Sequence, residues 1–316
     1  MSAKKIITVF GATGNQGGAV VKQFLEDPKL NTTWTVRGVT RDVSKDSAKK
    51  LASQGAEVVA ADLNDKDSLV KALAGSDTVY AVTNYWEKLD MKLEEQQGRN
   101  IADAAKKVGV KHLIWSSLLD ITKLTNGALS RVYHFDSKAH VEEYIRSLSP
   151  PATFMMPGFY MPNIPGGMMS KQGGENWVFS MPVSPQSPIP LYNPADTGKY
   201  IKAIVSNKSA LLGKRFLAAT EYVTAQGVVD AFKQVFPEAG ATAAYFETPK
   251  DAFYEYMKST GLPDYAVDET YENLYLMQDF GYFGGASLDE SHKFVEEPLT
   301  TWAEFAKNAP AFAGLK

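Results

Sequence analysis

At 316 residues the chain exceeds what a single hydrophobic core usually organises, so two lobes are expected. A formal charge of −3, with no Lys/Arg run longer than two, offers no basic face for phosphate neutralisation and argues against direct nucleic-acid binding. Cysteine is absent, which excludes disulfide scaffolding, thiolate catalysis and Cys-ligated zinc.

In chain order, "KIITVFG" is an apolar strand run ending at Gly11, and "NQGGAVVKQFLED" follows with helical spacing through Val20, Val21, Phe24 and Leu25. The β-branched "TTWTVRGVTR" predicts a second strand, "SAKKLASQGA" a short helix closed by Gly55, and "AEVVAADL" a third strand. A helix with an acidic first turn is expected over "DKDSLVKALAGS", then a strand over "DTVYAVT". Residues 90–109 form a long helical segment with a basic last turn, and "VKHLIWSS" is the fifth strand. Strands alternating with helices in this way predict an α/β fold, a doubly wound parallel sheet with right-handed crossovers.

After about residue 150 the texture changes, with four prolines in "PATFMMPGFYMPNIPGG" and five in "SMPVSPQSPIPLYNP". These segments predict loops capping a cleft rather than interior helix. Helices are expected over "TGKYIKAIVSN", "TAQGVVDAFKQVF", "PKDAFYEYMKSTG" and "TTWAEFAKNAP". The expected organisation is a nucleotide domain over 1–155 and a smaller α+β lobe over 156–316, packed at the carboxyl ends of the strands. The start "MSAKK" runs into the first strand without a signal-peptide pattern, and no apolar stretch approaches the roughly 20 residues of a membrane span. A cytoplasmic protein is expected, with the nucleus as a second compartment, as a monomer or homodimer.

Gly11, Gly14 and Gly17 give GxxGxxG between the first strand and the first helix. The first glycine serves a tight turn, the second backbone approach to a pyrophosphate, the third helix–strand packing, and the helix N-terminus offers N–H groups to phosphate. A bare strand-to-helix turn is the plain structural alternative. At the end of the second strand, "GVTRDVSK" presents Arg41, Asp42 and Lys45. An arginine there suits the 2′-phosphate of NADP, and an acid suits the ribose of NAD, so NADP(H) is expected and NAD stays open through Asp42. Asp62 and Leu63 end the third strand, where a carboxylate can accept from an adenine amino group and an aliphatic chain can cover the ring, the plain alternative being an N-cap-like Asp in a loop. Thr83, Asn84 and Tyr85 follow the fourth strand, where a cofactor's ribose or nicotinamide would pass, unless this is a plain strand-to-helix turn.

Together, "VFGATGNQGG", "VTRD", "VTNYWE", "HFDSKAHVEEY" and "GFYMPN" resemble the NmrA-like family, a branch of the atypical short-chain dehydrogenase/reductases, over essentially the whole chain. The resemblance implies a Rossmann domain binding NADP(H) and a smaller C-terminal lobe. It implies that Gly11, Ala12, Thr13, Gly14, Asn15 and Gln16 wrap the pyrophosphate and that Arg41 to Lys45 hold the 2′-phosphate. Asp62 and Leu63 would flank adenine, and Thr83 to Tyr85 would line the ribose. Gln96 stands where relatives carry a cofactor-contacting lysine, a departure at that position. Lys138 would bond the nicotinamide ribose, with Tyr160, Met161, Pro162 and Asn163 closing over the nicotinamide.

Dehydrogenases of the wider superfamily use Tyr-x-x-x-Lys, but four residues before Lys138 stands His134, and Tyr133 is rotated about 100° away on a helix. The usual acid is missing. Imidazole is the usual proton-transfer group near neutrality, His134 lies one turn from Lys138, and Ser116 could polarise a carbonyl. The plain alternative makes His134 a packing residue and Ser116 a cap. No metal site is expected, since His134 and His140 are six apart and HExxH does not occur. The leading expectation is an NADP(H)-binding redox sensor acting through a protein partner, such as a transcription factor or signalling enzyme. The alternative is an NADPH-dependent reductase of a small carbonyl, quinone or enone, for which Phe159, Tyr160, Trp177 and Phe179 would form an apolar substrate lid; the same aromatics read equally as core of the second lobe.

Overall fold

The computed structural model describes residues 3–174 and 176–316. The first half alternates as the pattern predicts: β1 (Lys5–Val9), α1 (Asn15–Glu26), β2 (Trp34–Thr40), α2 (Asp46–Ser53), β3 (Glu57–Ala60), α3 (Lys66–Leu73), β4 (Thr78–Ala81), α4 (Met91–Val108), β5 (His112–Ser116) and α5 (Tyr133–Leu148). Every residue of β4 and β5 is buried, as expected for strands covered by helices on both faces. Helix α4 ends where Gly109 takes a left-handed conformation, and α3 begins where Asp65 accepts the amides of Asp67 and Ser68.

The second half holds β6 (Ala152–Pro157), β7 (Phe159–Tyr160), β8 (Met169–Gln172), β9 (Asn176–Met181), β10 (Pro188–Tyr192), α6 (Thr197–Ser206), β11 (Arg215–Ala218), β12 (Glu221–Thr224), α7 (Ala225–Val235), β13 (Ala244–Glu247), α8 (Lys250–Ser259), α9 (Asp264–Asp279) and α10 (Trp302–Asn308). One seven-stranded sheet runs β3-β2-β1-β4-β5-β6-β11, all parallel. Strand order reverses between β1 and β4, the place where open α/β sheets bind ligands. Two three-stranded sheets, β12-β10-β7 and β13-β9-β8, belong to the second lobe. Among the described residues no helix is long and apolar enough to cross a membrane.

Three expectations change. The proline-rich start of the second half is not all loop: residues 152–157 form a fully buried strand between β5 and β11, with its only proline at the end. Strand β10 tolerates Pro188 and Pro190 because β7 pairs only with Leu191 and Tyr192, leaving the proline end with one neighbour. Second, the chain crosses the boundary expected at residue 155 and returns. Tyr200, Ile201 and Ile204 of α6 and Phe216 of β11 share a core with Ile7, Val9, Val20 and Phe24. Gly198 lets α6 lie against α1, since a Cβ there would come 2.5 Å from the Ala19 carbonyl oxygen. Third, α9 was not expected, and it supplies the acid described next.

Candidate functional site

The glycine turn sits at the carboxyl end of β1. Gly11 has φ +61°, and its carbonyl accepts the Gly14 amide at 2.8 Å. A Cβ on Gly17 would lie 2.3 Å from the Gly11 oxygen, so only glycine lets α1 start this close to the strand. No side chain caps α1 and its first turn holds no acid, which leaves its leading amides for an anion. Gly11, Thr13, Gly14 and Asn15 are exposed, while Ala12 is buried.

Gln16 faces inward instead. Its Oε1 accepts from Tyr80 and from Ser116 Oγ (2.9 Å), and its Nε2 donates to the Tyr160 hydroxyl. One amide thus ties α1 to β4, β5 and β7. Its side chain is committed to this hub, and Ser116 serves the hub rather than capping a helix. Burial pushes the Tyr160 hydroxyl up to about 12, only partly offset by Gln16.

On the adenosine side Arg41 is exposed, and its Nη1 meets Glu87 Oε1 at 2.6 Å. That hydrogen bond and the guanidinium charge hold Glu87 below its ordinary value. Asp42 turns into its own loop, where Oδ1 accepts from the Ser44 amide (2.8 Å) and hydroxyl (2.6 Å). It therefore does not oppose an anion beside Arg41. Lys45 is exposed at the start of α2. Asp62 Oδ1 accepts from Asn64, and the Leu63 carbonyl accepts from Asn100 Nδ2 at 2.8 Å. Gln96 donates to Asn100 Oδ1 at 2.8 Å, so it braces the adenosine wall through Asn100.

The other end is built on two acids that sequence reasoning missed. Glu94 of α4, 2% exposed, accepts from Thr83 Oγ1 (2.7 Å), Ser137 Oγ and Lys138 Nζ. Burial alone would raise this carboxyl, but the Lys138 ammonium and the hydroxyl donors overcome that and hold it low. Glu269 of α9 is wholly buried. Its Oε1 accepts the His134 backbone amide (2.9 Å) and faces His134 Nδ1 at 2.7 Å, while Oε2 accepts from the Tyr85 hydroxyl at 2.6 Å. Burial, then Glu269, keeps that phenol protonated by raising its pKa. The Trp86 ring lies 4.8 Å from the imidazole and is half exposed. His134 is 8% exposed, and among the described residues its Nε2 makes no hydrogen bond.

Thus Thr83, Tyr85, His134 and Lys138 come together, Arg41 and Lys45 stand apart on the adenosine side, and Asn84, Pro162 and Asn163 are exposed. Met161 is buried in the second-lobe core. Of the lid aromatics, Phe159, Trp177 and Phe179 take the core alternative, Trp177 against Phe232 and Phe312. Only Tyr160 stays at the site, against Tyr192.

The NmrA-like family model matches residues 3–306. The chain belongs to the NmrA-like family. This NmrA-like chain is 30% identical over 250 residues to an NmrA-like family domain-containing oxidoreductase of Penicillium ochrochloron, covering 73% of each. It is 35% identical over 169 residues to one of Aspergillus flavus, covering 52% of this chain and spanning about half of that relative (49%). Among solved structures, NmrA, a negative transcriptional regulator, superposes with TM-score 0.81 at 20% identity over 97% of this chain and 96% of NmrA. An NADPH-dependent quinone oxidoreductase of Escherichia coli, complexed with NADPH, gives 0.73 at 22% identity over 94% and 97%. NmrA in complex with NADP gives 0.77 at 21% over 98% and 96%. At these identities the likeness to the solved structures establishes the fold.

Proposed function

We propose that this chain binds NADP(H) across the β1/β4 switch point and reduces a small carbonyl, quinone or enone. The open amides of α1 suit a pyrophosphate, and exposed Arg41, with Lys45 nearby, suits a 2′-phosphate. The oxidoreductase relatives and the NADP-bound neighbours support the same reading.

The observation that carries it is His134. With Nδ1 held against a fully buried carboxylate, the imidazole is fixed in orientation. Nε2 is then the atom left to pass a proton to a substrate oxygen, one helical turn from Lys138. Lys138 spends one N–H on Glu94 and keeps two for a ribose hydroxyl. When bound, NADPH supplies the hydride. Trp86, Tyr85 and Tyr160 give the site aromatic walls suited to a flat, apolar substrate.

NADPH absorbance followed over a panel of aldehydes, quinones and enones tests the proposal. Turnover that His134→Ala abolishes and a surface Lys50→Ala keeps is the expected result. An inert panel, or a fully active His134→Ala, removes the reading.

A second reading, an NADP(H)-responsive regulator acting through a protein partner, draws support from the turn Tyr85–Glu87. Its three residues are fastened to α9, to the His134 ring and to Arg41. A ligand at Arg41 would act on a turn tied to the second lobe, the differential contact that a population shift requires. Equal affinities for NADP+ and NADPH, with no change in protease sensitivity, would remove it.

A further inference from the structure

Arg41 follows β2 and Glu87 follows β4, and in the sheet β1 lies between those two strands. Their ion pair therefore crosses over the carboxyl end of β1, where the Gly11 turn begins. A dinucleotide seated on that turn must run its adenosine arm past this bar. Among the described residues Glu87 is the only acid paired with Arg41, although Asp62 adds its charge nearby and Asp42 is committed to Ser44. The pair is also cheap to open, since Arg41 and Glu87 side chains are 65% and 38% exposed.

We propose that Glu87 is a built-in competitor for the coenzyme's 2′-phosphate, so that it sets the preference between NADP(H) and NAD(H). This rests on the reading of the chain as an NADP(H) binder. A dianionic phosphate arriving at Arg41 must displace the carboxylate or share the guanidinium with it, and both cost affinity through like-charge repulsion. The bare 2′-hydroxyl of NAD meets no such opposition: a carboxylate accepts a hydrogen bond from ribose, as acids at this end of dinucleotide sites do. Glu87 thus weakens the phosphorylated coenzyme and tolerates the plain one, and Arg41 is held in place for whichever arrives.

Calorimetric titration of the full chain with NADP+, NAD+ and adenosine 2′,5′-bisphosphate tests this in wild type, Glu87→Gln and Glu87→Ala. Both variants should bind NADP+ and the bisphosphate about three- to tenfold more tightly, the size of effect expected for relieving an exposed charge repulsion. NAD+ affinity should stay the same or fall. Adding Arg41→Met to Glu87→Gln should erase the gain. Unchanged or weaker NADP+ binding in both Glu87 variants overturns the competitor, the weaker case making Glu87 an aid that aims Arg41 at the phosphate. Wild type that takes up neither dinucleotide overturns the underlying reading, and the competitor with it.

Discussion

His134 Nδ1 stands 2.7 Å from Glu269 Oε1, joining α5 beside the sheet to α9 of the second lobe. The same oxygen accepts the His134 backbone amide, so ring and chain are held by one group. Such a contact can be packing or chemistry, and the two differ in what survives Glu269→Gln. The amide keeps the volume and loses the charge. For a proton donor, His134→Ala should lower kcat about 10²-fold or more. Glu269→Gln should lower it by a smaller factor, with KM for NADPH unchanged in both. Steady-state kinetics decides, and full activity in Glu269→Gln would make the pair a packing device.

Lys138 and Glu94 form the buried ion pair beneath this dyad. A buried pair adds little net stability, but breaking it strands a charge. Lys138→Met should therefore destabilise the fold by about 3–5 kcal/mol in urea unfolding. Adding Glu94→Gln should recover at least half of that loss, because the stranded carboxylate is gone. If the double variant is no better than the single one, the pair is not what Lys138 supports.

The fold was legible because each layer carries its own period: buried runs for β1, β2, β4 and β5, amphipathic spacing for the helices, glycines at the turns. The sixth strand was hidden by flanking prolines, which sit at or beyond its ends and leave its ladder intact. Of the candidate site, the glycine turn and Arg41 were legible from their places at strand ends, and Lys138 and His134 from the resemblance to the family. Glu94 and Glu269 were not. Each lies in an acidic neighbourhood ("LEEQQ" and "DETYEN") that reads as a solvated helix face, and only tertiary packing selects the acid that turns inward. The alternation of Ala266, Val267, Leu274 and Met277 would have revealed α9, though not the role of Glu269.

His112, wholly buried in β5, bonds Thr153 Oγ1 through Nε2 at 2.8 Å, and among the described residues its Nδ1 has no partner. Burial, with Lys208 adding to it, pushes its pKa down to about 4 from an ordinary 6.5. The unfolded chain thus takes up this proton at a pH where the folded chain refuses it. Stability is full above pH 6.5 and declines as pH falls from 6.5 toward 4, by up to about 3 kcal/mol from this residue. Urea unfolding across that range should show the decline, and His112→Gln should flatten it. An equally steep decline in the variant would assign the proton elsewhere.

The glycine turn makes a graded prediction, because the room at each position differs. A Cβ at Gly17 would meet the Gly11 carbonyl at 2.3 Å, at Gly14 the same oxygen at 3.3 Å, and at Gly166 nothing within 4 Å. The Gly11 oxygen belongs to backbone fixed by the end of β1 and cannot step aside. Gly17→Ala must push α1 away from the strand, which should cost about 1–3 kcal/mol and move the amides that would face a pyrophosphate. Gly14→Ala asks for a few tenths of an ångström, so it should weaken dinucleotide binding less. Gly166→Ala, exposed in the short helical segment Ile164–Met168 and without positive φ, should change neither stability nor binding. Thermal unfolding and calorimetry with NADP+ on the three variants should follow that order. Wild-type binding in Gly17→Ala would mean that the dinucleotide does not rest on this turn.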